Sequence, residues 1–299
     1  MKNQQKQILT GTHGHMVKTK RQIIEDLKLI DIVVEILDAR IPISSQNPDI
    51  GNYIKEKTRI IILNKSDLAD EEQNKKWLNY FNNKGIKAVI VDSNSGMGIN
   101  KVISTIEELY NKNNSKFLEK GRVGKSIRIM IVGIPNVGKS SFINRISKKS
   151  QAKVGNKPGV TRQKQWVKVN NDIELLDTPG VLWPKFQDEK VALNLAFTGT
   201  INDDIMEITE IGFALLKFLL LNYFSNVVNR YNLDEKQIKD ILQDNNREEN
   251  ENILNVMEEI GRKRGAIISG GNIDIERVAN IIIDEFRSGK LGRITLERL

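Results

Sequence analysis

The sequence predicts an α/β domain with a mostly parallel sheet, followed by an α-helical C-terminal domain. Three observations support this: short β-branched runs alternate with helical patterns, a phosphate-binding loop directly follows one of those runs, and helical periodicity alone remains beyond about Asp188. Near-continuous apolar strands separated by helices are typical of a parallel sheet that is covered on both faces. We therefore place an α/β domain with an N-terminal arm at residues 1–187 and a helical domain at residues 188–299.

Five apolar runs are predicted to be buried strands. They are Asp31–Leu37, Arg59–Leu63, Lys87–Val91, Ile127–Val132 and Ile173–Leu176. In such sheets ligands bind beyond the carboxyl ends of the strands, and each motif described below follows such an end. Between the third and fourth strands we predict a helix over Lys101–Tyr110 and then a solvated connector over Asn111–Ser126, because that stretch is polar and contains Gly121 and Gly124.

The C-terminal region is predicted to be helical because apolar residues recur there at steps of three and four. The clearest apolar stripe consists of Ile275, Val278, Ile282 and Phe286. Asn272 and Asp274 are the candidates for its N-cap. The most apolar stretch, Ile211–Phe224, is interrupted by Lys217 and is shorter than the ~20 residues that span a bilayer, so it is predicted to be a buried helix.

The composition indicates a globular protein with a basic surface. The chain has 299 residues and a net charge of +8, which favours a polyanionic partner such as nucleic acid; an AT-rich genome, which enriches Lys and Asn generally, is the alternative explanation. The absence of cysteine excludes disulfides and thiolate metal sites. The polar Met1–Thr10 lacks the apolar core of a signal peptide. We expect a cytoplasmic monomer that does not associate with membranes.

A phosphate-binding loop is predicted at Gly133-x-x-x-x-Gly138-Lys139-Ser140, between a strand and a helical pattern. Its glycines let backbone N–H groups approach phosphates, and the helix N-terminus adds a partial positive charge. Lys139 is expected to reach the β- and γ-phosphates, and the Ser140 hydroxyl to ligate Mg²⁺.

Two further strings are predicted to respond to the γ-phosphate. Asp177-Thr178-Pro179-Gly180 follows the last strand, where Asp177 is placed to hold Mg²⁺ through water and the Gly180 N–H to meet the γ-phosphate. Thr161 lies in a Pro-Gly loop and is the candidate switch threonine, which closes on Mg²⁺ and the γ-phosphate.

A guanine-reading loop is predicted at Asn64-Lys65-Ser66-Asp67. The Asp67 carboxylate can accept two parallel hydrogen bonds from the ring N–H and exocyclic amine of guanine, a pair that adenine cannot supply. Lys65 would lie over the base, and Asn64 would tie this loop to the phosphate loop. Asp92 and Ser93, at the end of the next strand, are predicted to back the base.

The guanine-reading string precedes the phosphate loop, whereas an ordinary GTPase has them in the opposite order, so the site looks circularly permuted. With these motifs in this order the chain resembles the circularly permuted GTPases, and most closely the ribosome biogenesis GTPase A family (the YlqF subfamily). Asp38–Pro42, Gln165–Val169, Leu182–Phe186 and Lys263–Gly265 match that family's further signatures. The resemblance implies a circularly permuted P-loop GTPase domain. It also implies that the protein acts late in assembly of the large (50S) ribosomal subunit, which stimulates its hydrolysis of GTP.

The resemblance also assigns the attacking water to a histidine. Many GTPases place a water-orienting Gln after the glycine of the second switch, but here Val181 follows, and it can neither donate nor accept a hydrogen bond. The family uses a histidine of a Gly-His-Met segment, which here is His15. The chain departs from the family at Gly11-Thr12-His13, where the family has Trp-Phe-Pro. A solvated histidine on a mobile arm is therefore the alternative reading of His15.

The predicted GTP/GDP and cation sites follow from these motifs. The candidate GTP-binding residues are Asn64, Lys65, Ser66, Asp67, Asp92, Ser93, Asn136, Val137, Gly138, Lys139, Ser140, Ser141, Thr161 and Gly180. The candidate Mg²⁺ ligands are Ser140, Thr161 and Asp177, and Asn136 resembles the asparagine that ligates K⁺ in cation-activated GTPases. Lys18, Lys20, Arg21 and Arg262, Lys263, Arg264 are candidate RNA contacts. Two other functions remain open: a GTPase that acts on tRNA or another RNA, and a nucleotide-bound scaffold with little hydrolysis.

Overall fold

The computed structural model describes residues 24–54, 57–118, 126–147, 166–176, 188–201 and 206–299, with residues 49–50 and 115–118 described by their backbone alone. The chain divides into two units. The sheet unit contains the described residues up to Ser66, those from Asn74 to Leu176, and Leu299. The helical unit contains Asp67–Gln73 and the described residues from Asp188 to Arg298.

A six-stranded sheet forms the core of the sheet unit. Its strands are β1 (Ile32–Asp38), β2 (Thr58–Asn64), β3 (Lys87–Ile90), β4 (Ile127–Val132), β5 (Trp166–Lys168) and β6 (Ile173–Leu176). Their spatial order is β3-β2-β1-β4-β6-β5, and every neighbouring pair is parallel except β5 with β6. The prediction of a mostly parallel α/β sheet is confirmed.

Strands β1 and β2 are deeply buried. All seven residues of β1 are buried, as are the last five of β2, because helices cover both faces of a parallel sheet. Residues Leu27, Ile30, Val33, Ile54, Met130, Val132 and Leu176 form one packed cluster against this sheet. Strand β5 was not predicted, since it is only three residues long and pairs with a single neighbour at the edge.

Four helices follow in the first part of the chain: α1 (Pro48–Tyr53), α2 (Glu71–Asn83), α3 (Ile99–Leu118) and α4 (Lys139–Ser147). The solvated connector predicted over Asn111–Ser126 is wrong in its first half, because α3 continues through Leu118. No Gly or Pro occurs between Asn111 and Leu118, so this stretch contains no residue that breaks a helix. Residues 119–125 lie outside the described part.

The helical unit contains α5 (Glu189–Phe197), α6 (Ile208–Asn222), α7 (Phe224–Tyr231), α8 (Glu235–Leu242), α9 (Glu249–Arg264) and α10 (Ile275–Arg287). The predicted stripe of α10 is confirmed: Val278, Ile282 and Phe286 are buried, and Ile275 is half-buried. Its N-cap is Asp274, whose carboxylate accepts the Arg277 N–H at 3.0 Å. Such a bond satisfies one of the four free N–H groups at a helix start.

The apolar stretch at Ile211–Phe224 lies mainly in α6, where six of its residues are buried, as predicted. Among the described residues, no single helix is both long and apolar enough to cross a membrane. Of the described helices, only α6 and α7 taken together, bent by 113°, reach that length and hydropathy.

Candidate nucleotide-binding site

The phosphate loop connects the end of β4 to the start of α4. Asn136 and Gly138 have φ values of 60° and 94°, so the chain turns sharply before α4 begins at Lys139. The Phe142 N–H donates to the Gly138 carbonyl at 2.9 Å, which makes this the first helical bond of α4. Ser140 and Ser141 are exposed in this first turn. N–H groups that precede the first helical bond are directed at a ligand in front of the helix.

Lys139 is held over the same loop. Its Nζ donates to the Ile134 carbonyl at 2.5 Å. Burial of the side chain disfavours its charged form and lowers the pKa of Lys139 to about 8, from the usual 10.5. The ammonium therefore lies beside the loop, and an anion bound there would stabilise the charged form that burial disfavours.

Asn64 connects three loops at the carboxyl edge of the sheet. Its Nδ2 donates to the Val137 carbonyl of the phosphate loop at 2.8 Å. Its Oδ1 accepts from both the N–H and the Oγ–H of Ser93, at 3.1 and 2.7 Å. The side chain is buried, so these bonds are shielded from water and costly to break. The structure thus brings the guanine-reading loop, the loop at Ser93 and the phosphate loop together.

The close approach of Asn64 to the phosphate loop requires a glycine at position 138. A Cβ there would lie 2.3 Å from Asn64 Nδ2, and the φ of 94° is one that other residues rarely adopt. The second glycine of the motif therefore makes room for Asn64 as well as for a ligand.

Asp38 is a site residue to which the sequence analysis gave no role beyond family resemblance. It ends β1 and is fully buried. Its carboxylate accepts from Arg40 Nε at 2.9 Å and Arg40 Nη2 at 2.7 Å, and it pairs with Lys65 Nζ at 3.0 Å. Burial opposes the charge of Asp38, but the two cations outweigh it and hold its pKa well below the usual range. Asp38 therefore fixes the side chain of Lys65, whose backbone is left-handed with φ 58°.

The Asp92–Ser93 loop is tied to itself and to α4. Asp92 accepts from the N–H groups of Asn94 at 2.8 Å and Ser95 at 3.2 Å. Burial opposes its charge, but hydrogen bonds from Ser95 and Asn94 and the nearby charge of Arg145 lower the pKa of Asp92. Arg145 also donates from Nε to the Ser93 carbonyl at 3.1 Å. Sequence reasoning missed Arg145, because an arginine in an amphipathic helix carries no motif.

Some of the predicted site residues lie outside the part of the chain that the structure describes. Ser66 is buried and its N–H donates to the Val91 carbonyl at 3.2 Å, whereas Asp67 is exposed. His15, Thr161, Asp177 and Gly180 lie outside the described residues, so their roles stay predictions. Within the described part of the chain, no three His, Asp or Glu side chains are grouped so that they could hold a metal ion.

Curated relatives identify the family. A ribosome biogenesis GTPase A from Bacillus cereus is 42% identical to this chain, over 95% of this chain and 92% of that protein. One from Bacillus licheniformis is 44% identical, over 95% and 96%. The chain belongs to the ribosome biogenesis GTPase A family. The resemblance stated from the motifs is therefore confirmed.

Matches to family models and to solved structures support the same family assignment. Residues 128–259 match the family described as 50S ribosome-binding GTPase, and residues 52–187 match RsgA GTPase. A GDP-bound YlqF structure has a TM-score of 0.61 at 27% identity, covering 93% of this chain and 98% of that one. The GNP-bound YlqF structure from Thermotoga maritima has a TM-score of 0.60 at 28% identity, covering 94% and 98%. The predicted fold, a permuted GTPase domain followed by helices, is confirmed.

The buried charge at Asp38 gives a stability prediction. In Asp38→Asn, Arg40 and Lys65 lose their counter-charge, so the free energy of unfolding should fall by about 3–5 kcal/mol at pH 7. Urea denaturation followed by tryptophan fluorescence measures this, because Trp77 is buried in the sheet unit. Asp172→Asn, at an exposed carboxylate of the same unit, is the matched control and should change stability by less than about 0.5 kcal/mol.

The difference between wild type and Asp38→Asn should also depend on pH. Since the folded pKa of Asp38 is depressed, its contribution is complete above about pH 4, the ordinary range of an aspartate. It is lost progressively as the pH falls below that value toward the lower folded pKa. A difference that stays constant from pH 7 to pH 3 would contradict this account of Asp38.

Proposed function

We propose that this protein binds and hydrolyses GTP and uses the nucleotide state as a switch in late assembly of the large ribosomal subunit. The observation that carries the proposal is the set of hydrogen bonds from Asn64 to Val137 and Ser93, which hold a guanine-reading loop and a phosphate loop in one site. Membership of the ribosome biogenesis GTPase A family supports both the activity and the ribosomal setting.

The described residues suit a guanine nucleotide. The N-terminus of α4, with its N–H groups and Lys139, provides charge complementary to phosphates. Lys65 is held by Asp38 in the loop that would lie over the base. Asp67 is exposed at the end of that loop, where its carboxylate could accept hydrogen bonds from the guanine ring N–H and amine.

The residues also fit Mg²⁺, with K⁺ as a second candidate cation. Mg²⁺ prefers oxygen donors and few protein ligands beside phosphates and water, and the Ser140 hydroxyl is such a donor, exposed in the first turn of α4. Thr161 and Asp177 would complete the set according to the motifs. When bound, Mg²⁺ neutralises charge on the β- and γ-phosphates. Asn136 is exposed at the turn of the phosphate loop, where its amide oxygen could face a K⁺ ion.

Hydrolysis needs a group that orients water. Because Val181 cannot do so, we assign this role to His15, brought into place when the N-terminal arm docks on ribosomal RNA. Arg264 is unsuited to contact RNA, since it pairs with Glu285 at 3.0 Å and stacks over the Tyr231 ring at 5.1 Å. Lys263 is exposed and is the better candidate of that basic group.

Stimulated GTP hydrolysis is the direct test of the function. We expect phosphate release to rise when purified large ribosomal subunits are added, and to rise further in K⁺ than in Na⁺. His15→Ala should reduce the stimulated rate by about 100-fold, the usual range for a lost acid–base or water-positioning group, with little change in GTP affinity. Stimulation by tRNA instead, or no stimulation by either, would favour one of the two other functions named above.

Base specificity should follow Asp67. In Asp67→Asn, the amide cannot accept both guanine hydrogen bonds, so GTP affinity should fall by at least about 100-fold. Affinity for XTP should rise, because the xanthine ring presents an oxygen that the new amide can donate to. Equilibrium titration with fluorescent GTP and XTP analogues measures both, with Asp172→Asn as the control. An unchanged preference for GTP would contradict the assignment of Asp67.

Lys139 should take up a proton when GTP binds at alkaline pH. Its pKa of about 8 in the free site should rise beside the phosphates, since an opposite charge favours the ammonium form. We expect uptake of roughly 0.5–1 proton at pH 8.5 and near none from this group at pH 7. Calorimetry in two buffers with different ionisation enthalpies measures the uptake.

The matched control is Lys139→Arg, which is charged at both pH values. The variant should bind GTP without the additional uptake at pH 8.5, whatever affinity remains. Equal uptake by wild type and Lys139→Arg would show that another group is responsible.

A further inference from the structure

A basic cleft lies at the amino edge of the sheet, away from the nucleotide loops. Its volume is about 400 Å³, and its lining includes Thr58 and Lys87, the first residues of β2 and β3. Asn64, at the other end of β2, belongs to the nucleotide site. Thr58 and Asn64 are six positions apart, which corresponds to about 20 Å along the strand. The cleft is therefore a separate site on the sheet unit, which the GTPase mechanism does not use.

The lining of this cleft is cationic. Lys57, Arg59, Lys87 and Lys112 line it, and none of the described residues that line it is acidic. Arg59 is paired with the buried Glu35. Lys87 meets Glu108 only at 4.0 Å, and both side chains are more than half exposed, so this pair neutralises little charge. Lys57 Nζ is held in place by the Ile30 carbonyl at 2.8 Å.

The floor of the cleft is apolar and open. Ile86 and Leu109 are only half-buried there, and a side-chain atom added at Gly51 or Gly85 would have nothing within 4 Å. Asn113 donates to Thr58 Oγ1 at 2.7 Å at one side. An apolar floor with cations on its rim suits a ligand that has both a flat or sugar-like face and phosphates.

We propose that this cleft binds the phosphodiester backbone of single-stranded RNA. Lysine and arginine contacts to phosphates dominate the affinity of proteins for nucleic acid, and the ribose or base of one nucleotide would rest on Ile86 and Leu109. Lys87 and Lys112 are exposed at the rim, where phosphates on either side of that nucleotide would pass. That the RNA is ribosomal rests on the proposed function; that the cleft binds RNA does not.

The test uses the full-length protein and a fluorescein-labelled RNA of ten nucleotides of mixed sequence, with binding followed by anisotropy over a series of KCl concentrations. The double variant Lys87→Gln/Lys112→Gln removes two rim charges. The control Lys168→Gln/Lys236→Gln removes the same charge from exposed lysines on β5, at the opposite edge of the sheet, and on α8. Unstimulated GTP hydrolysis checks that both variants are folded.

We expect the rim variant to bind the RNA at least about tenfold more weakly at low salt, and the slope of log Kd against log salt to fall by about 1.4. The control should match wild type. Equal affinity and slope for the two double variants would overturn the proposal. A second result would also overturn it: the rim variant binds GMP or inorganic phosphate more weakly than the wild type but binds the RNA equally well. The cleft would then be a site for small anions.

A second measurement separates this inference from the proposed function. If the rim variant has lost RNA affinity in the anisotropy experiment but large subunits stimulate it as much as the wild type, the cleft binds RNA other than that of the subunit. If large subunits stimulate neither protein, the proposed function fails, and the anisotropy result still decides whether the cleft binds RNA.

Discussion

The candidate site depends on one buried amide. Asn64 is the last residue of β2, and its side chain donates to the phosphate loop while it accepts from Ser93, so three loops that follow β2, β3 and β4 are fixed at known distances from each other. Water cannot replace these bonds, because the side chain is buried. A loop that recognises a base and a loop that recognises phosphates can serve one ligand only if their spacing is constant, and this amide sets that spacing.

A group of buried, paired charges stabilises the same edge of the sheet. Asp38 ends the central strand β1 and binds Arg40 and Lys65, so the residue that would cover the base is anchored to the most buried strand of the fold. Charges of this kind are expensive to bury unless they are paired. Here the carboxylate has both partners, whose charges offset the cost of burying it, and the same pairing fixes the position of Lys65.

The elements that the sequence predicted well are those with a repeating pattern. Continuous apolar runs located the five parallel strands to within about one residue, and the three- and four-residue steps located α10. Glycine and lysine at fixed spacing located the phosphate loop. By contrast, the length of α3 and the existence of the strand β5 depend on tertiary contacts, which produce no repeating pattern in the sequence. The roles of Asp38 and Arg145 were also missed, since each depends on a partner that is distant in sequence.

The missing side chain at Gly138 also has a thermodynamic consequence. Asn64 occupies the space that a Cβ would fill, so a ligand that orders the phosphate loop also orders the amide that holds the base loop. Two fragments of the nucleotide, guanosine and a polyphosphate, should therefore bind cooperatively rather than independently, each with a tighter affinity when the other is present. By reciprocity, substitutions in one loop should alter affinity for the fragment bound by the other. Base selectivity and phosphate affinity in this protein would then be thermodynamically coupled, so that a change in one is accompanied by a change in the other.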